Sequence, residues 1–117
     1  MRILALVALA VSIGAAAQAA DPNGRFNILG AGSRKCGEYA GATPQQKTYV
    51  ETWMAGYISA LNRLTPDTWH ITGETSVDKV NAMIAQYCSE NPDIHIGIAI
   101  HRVLERLHPN RIRKSPN

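Results

Sequence analysis

Cys36, Cys88 and four histidines are the residues best equipped for chemistry in this sequence. What two cysteines do depends on the compartment, and the first twenty residues bear on that. Arg2 supplies a short positive start, Ile3–Ile13 is almost wholly apolar, and Ala17-Gln18-Ala19 is an A-x-A cleavage pattern. The apolar run is too short to cross a bilayer, so no stable membrane anchor is expected. Residues 1–20 therefore read as a secretory signal peptide, and the chain as exported to a bacterial periplasm. There an even pair of thiols is expected to be oxidised, Cys36 to Cys88.

The histidines are His70, His95, His101 and His108. His101 and His108 are two helical turns apart, about 10 Å by rise, which is too far for one metal ion. No H-E-x-x-H or Cys/His ligand spacing occurs, so no metal and no cofactor are expected. Imidazoles that titrate near neutrality give a pH-responsive role more support. Ser33, Ser59, Ser76 and Ser89 lack a G-x-S-x-G context, and Gly30-Ala31-Gly32 is not a phosphate loop. The carboxylates show no paired motif. No catalytic residue is assigned, and the chain reads as a non-enzyme.

Removing the signal leaves roughly 97 residues, the size of one small domain. Such a domain has little stability to spare, and a Cys36–Cys88 bridge is worth about 4 kcal/mol in the chain-entropy model. The signal carries one of the twelve basic residues and none of the nine acidic ones, so the mature net charge is +2. That is not the basicity of a nucleic-acid binder. The basic residues crowd the end, at Arg102, Arg106, Arg111, Arg113 and Lys114.

Three amphipathic helices must position these groups. Thr43 (N-cap), Pro44 (N1) and Gln46 (N3) open the first, which is expected over Pro44–Leu64. Its apolar stripe runs through Tyr49, Trp53, Gly56/Tyr57, Ala60 and Leu64. Gly56 inside it suggests a close crossing by another element. A cap at Thr75, with Asp78 after it, predicts a second helix over Ser76–Ser89. Asn91 as N-cap and Pro92 as N1 open a third, with Ile96, Ile100, Val103 and Leu107 on its stripe. Arg25–Leu29 and Trp69–Gly73 could pair as a short two-stranded ribbon. The expectation is an all-α, three- to four-helix bundle with one disulfide. Its parts are an extended segment 21–35, a helical domain 36–108 and a basic flexible tail 109–117.

Cys36-Gly-Glu-Tyr, Gly56-Tyr57-Ile58-Ser59-Ala60-Leu61-Asn62, Gln86-Tyr87-Cys88 and Asn91-Pro92-Asp93 together resemble the HdeA/HdeB family of small periplasmic acid-stress chaperones. The likeness covers about Cys36–Leu107. It implies a non-enzymatic protein that binds unfolded protein clients when acid loosens an inactive folded dimer. The composition permits this. Below pH 3 the carboxylates are neutral, and eleven Lys and Arg with four His make fifteen positive side chains on the mature chain. Gly56-Tyr57 and the Tyr87-to-Leu107 stretch are also similar to Tai-type periplasmic immunity proteins, which bind a secreted cell-wall-degrading effector. A protein partner of either kind has candidate contacts in Trp69, which follows Pro66-Asp67-Thr68 in a connection, and in Ile96, Ile100 and Val103. The third helix is apolar over a wide arc, which a second subunit or Arg25–Leu29 must cover. A homodimer at neutral pH is the expectation, with the first or third helix at a two-fold interface.

Overall fold

A computed structural model describes residues 20–117; nearly all of the expected signal peptide lies outside them. The described residues form an all-α bundle of four helices, α1 (Cys36–Ala40), α2 (Pro44–Leu64), α3 (Val77–Glu90) and α4 (Ile96–Leu107). None is long and apolar enough to cross a membrane. The Cys36–Cys88 disulfide joins the start of α1 to the last turn of α3.

α2 has the ends that its sequence specifies. Thr43 Oγ1 accepts from the Gln46 N–H, the Gln46 side chain accepts from the Thr43 N–H, and Pro44 follows the cap. α3 is capped one residue later than expected. Ser76 Oγ accepts from the Lys79 N–H, while the Thr75 N–H turns back to the Thr72 carbonyl.

α4 begins at Ile96, four residues after the expected Pro92. The cause lies in α1, whose first N–H groups need acceptors. The Ile94 and Pro92 carbonyls face back and take the Cys36 and Gly37 N–H groups, both at 2.9 Å. Asn91 closes α3 instead of opening α4: its side chain donates to the Tyr87 carbonyl.

α4 is the centre of the molecule. Ile96, Ala99, Ile100, Val103 and Leu104 on it are buried, against Val80, Ile84 and the disulfide from α3 and Val50 and Met54 from α2. The chain covers the wide apolar arc itself. Gly30–Ser33 forms a tight 3-10 turn, and the segment before it lays Ile28 on Gly97 of α4.

The ribbon expected between Arg25–Leu29 and Trp69–Gly73 does not form. The first segment is held by side chains, and its Leu29 carbonyl accepts from Trp53 Nε1 at 2.8 Å. The second pairs through His70 with Ile112 in an isolated antiparallel bridge. The expected loose tail is thus tied down as far as Arg113, which pairs with Asp67. The stripe of α2 is also rotated from its expected position. Val50 and Met54 are its buried residues, with Trp53, Tyr57, Ile58 and Leu61 packed beside them, while Tyr49 and Leu64 are exposed.

Gly56 is not a crossing point, since a Cβ there would meet nothing within 4 Å. The close approach is at Gly32, where a Cβ would run into the Trp53 indole. Opposite effects are therefore expected in thermal or urea denaturation. Gly56→Ala should stabilise by about 0.5–1 kcal/mol, through helix propensity. Gly32→Ala should destabilise by about 1–3 kcal/mol, through overpacking.

Candidate functional site

Helix α2 carries the most varied surface. Trp53 and Tyr57 stack nearly parallel, with ring centroids 5.4 Å apart. One helical turn separates them, so α2 alone sets the pair. Tyr57 then reaches α4, where its hydroxyl lies 2.8 Å from His101 Nδ1. His101 Nε2 faces Glu105 Oε1 at 3.4 Å, one turn further along α4. Burial first, and the Glu105 carboxylate second, push the Tyr57 phenol above its ordinary pKa of 10.0. The protonated phenol can donate to Nδ1, which puts the imidazole proton on Nε2, toward Glu105. Tyr39 is shifted upward in the same way, by burial and then by Glu51. His101 and Glu105 were readable as an i, i+4 pair. Their link to Tyr57 was not, because it crosses between helices.

Three shallow apolar clefts flank α2. One, about 200 Å³, lies between Leu61, Ile71 and Leu104 and carries His101, Glu105 and His108 on its lining. A second, about 270 Å³, lies under Phe26–Leu29 against Trp53, Tyr57 and Gly97. The third, about 250 Å³, separates α2 from α3, with Met54, Ile58 and Val80 on its walls and Glu51 and His70 also lining it. Each is smaller than the about 300–1,000 Å³ usual for a small-molecule site.

The hydroxyls are spent on backbone. Ser33 donates to the Gly30 carbonyl, Ser59 to Ala55 and Ser89 to Gln86, while Ser76 caps α3. His95 Nδ1 is engaged with the Ser33 carbonyl at 2.7 Å. Among the described residues, no three His, Cys, Asp or Glu side chains come together as a metal ion would require.

The residues singled out as partner contacts separate into two groups. Trp69 is 44 % exposed, its ring edge-on to His70. Ile96, Ile100 and Val103 are 1 %, 0 % and 0 % exposed and lie in the core of the chain itself. In this folded state they are not available to a partner, because α1, α3 and the Gly30–Ser33 turn already pack on α4.

A family model described as the HdeA/HdeB family matches residues 1–97. The chain belongs to the HdeA/HdeB family. No curated protein and no solved structure matches it. HdeA/HdeB proteins are periplasmic acid-stress chaperones, not enzymes. The HdeA/HdeB match takes in the segment before Cys36 and stops at Gly97, just inside α4. The Tyr57–His101 contact and everything after it therefore lie partly or wholly beyond the matched span.

Proposed function

We propose that this protein is a periplasmic acid-stress chaperone, inert while compact, which binds unfolded clients through apolar surface uncovered when acid loosens the fold. Membership of the HdeA/HdeB family carries the reading. The geometry supports it. The apolar side chains of α4 are a store of client-binding surface that only loosening can release. At low pH the positive side chains of the mature chain have no negative partners left, and self-repulsion favours expansion. The Cys36–Cys88 bridge would keep that expanded chain compact enough to close again. We also propose a homodimer at neutral pH that comes apart on the same acidification, a reading that rests on family membership alone because the chain covers the apolar arc of α4 itself.

The test uses mature protein and an aggregation-prone client at pH 2.5 and pH 7. Suppressed client aggregation and dye binding to exposed apolar surface are expected at pH 2.5, with neither at pH 7. Sedimentation at micromolar protein is expected to report a dimer at pH 7 and a monomer at pH 2.5. A fold that stays compact and fails to protect the client at both pH values sinks the chaperone reading. Capture of a single stoichiometric partner at neutral pH would favour an immunity role in its place.

A further inference from the structure

Residues 108–113 do not trail off the last helix; they return across the loop between α2 and α3. His108–Asn110 makes a 3-10 turn, and Ile112 then pairs with His70. The pairing runs both ways. The Ile112 carbonyl accepts from the Trp69 N–H at 2.8 Å and the His70 N–H at 3.0 Å, and the Ile112 N–H donates to the His70 carbonyl at 3.0 Å. The Asn110 backbone sits where a side chain on Gly73 would be, and Gly73 has φ +61°. Position 73 must therefore be glycine for the segment to lie this close.

One carboxylate fastens the segment. Asp67 pairs with Arg113, and the same oxygen lies 3.8 Å from Arg111 Nη2. The Arg111 side chain is only 10 % exposed. Its other acceptors are neutral: the Asp67 carbonyl, the Thr68 hydroxyl and the His108 carbonyl. On the far side of the pairing, His70 Nε2 lies 3.2 Å from Thr72 Oγ1, while His70 Nδ1 is buried with no hydrogen-bond partner. The Trp69 ring meets the imidazole edge-on, and Glu51 is the carboxylate that shares the α2–α3 cleft with it.

Acid bears on both sides of the pairing. Neutralising Asp67, whose side chain is 55 % exposed, removes the carboxylate that both Arg111 and Arg113 face; each contact is modest, but the two are lost together. The imidazolium form of His70 carries protons on both ring nitrogens, and the fold supplies no acceptor at Nδ1. Positive charge on His70, His108, Arg111 and Arg113 is then left around one short backbone pairing. We infer that residues 108–113 are an acid-released latch, which lifts from the Asp67–Gly73 loop before the helices separate and opens the cleft behind Ile71. Ile71 is buried and shares that cleft with Leu61 and Leu104. The latch lies beyond residue 97, where the family match ends. Its use as a gate rests on the acid-stress reading, but its opening does not.

Amide hydrogen exchange on the mature, oxidised protein tests it without a client. Asp67→Asn is the informative variant. Asp67 has φ 52°, which asparagine tolerates, so the change removes charge and leaves the backbone unstrained. At pH 7 the variant should exchange the Trp69, His70 and Ile112 amides at least tenfold faster than wild type. The Ile100 and Val103 amides of α4 should change less than twofold. In wild type, with intrinsic exchange corrected at each pH, the same three amides should lose protection at a higher pH than the α4 amides. The latch is overturned if Asp67→Asn leaves those amides as slow as wild type. It is equally overturned if they open together with α4 at one pH. Latch opening without client protection would sink the chaperone reading alone, and client protection without latch opening would sink the latch alone.

Discussion

Reduction of Cys36–Cys88, or Cys88→Ala, is expected to lower the unfolding free energy by about 4 kcal/mol. The bridged residues are 52 apart in sequence, so the bond closes a loop of more than half the mature domain and removes much of the unfolded chain's freedom. The native side adds to the effect. Both cysteines are buried, against the α4 residues that form the core. α1 has five residues, too few to be stable alone, and depends on the disulfide and on the Ile94 and Pro92 carbonyls for its place. Net stabilities of domains this size are about 5–15 kcal/mol, so reduction should take a large share. Urea denaturation of oxidised and reduced protein at pH 7 measures it. A difference under about 0.5 kcal/mol would mean that the reduced chain is already constrained by other means.

How much of this was legible in the sequence depends on where each residue's partner lies. α2 was readable at both ends because Thr43, Pro44 and Gln46 satisfy one another locally. The disulfide was readable from compartment and count. The start of α4 was not, because Asn91 and Pro92 carry a helix-opening signal while their groups serve α3 and α1 instead. Gly56 and Gly32 make the same point. Nothing in the spacing distinguishes a glycine facing open space from one lying under an indole 21 residues away. The contacts of the C-terminal segment are hidden in the sequence for a related reason. A run of basic residues looks solvated until Asp67, more than forty positions earlier, is found beneath it. Of the site, the helix-borne pair His101–Glu105 was within reach of sequence reasoning. The clefts beside α2 and the Tyr57 contact depend on helix crossing and were not.

Ile100→Ala is the substitution that joins stability to function. Ile100 is wholly buried at the middle of α4, so truncation leaves a cavity in the core cluster, and about 2–5 kcal/mol of stability is expected to be lost. A fold that acid must loosen before it can act should then loosen at a higher pH. Its self-repulsion grows with each carboxylate that is neutralised, and less of it is needed to overcome a weaker core. The acid-unfolding midpoint of Ile100→Ala, followed by tryptophan fluorescence, should therefore lie above that of wild type. Client protection should begin at the same raised pH. If Ile96, Ile100 and Val103 instead formed a ready-made binding face, the variant would keep the wild-type midpoint and bind its partner less well at pH 7. A shifted midpoint with unshifted onset of protection would separate loosening from client binding and remove the link between them.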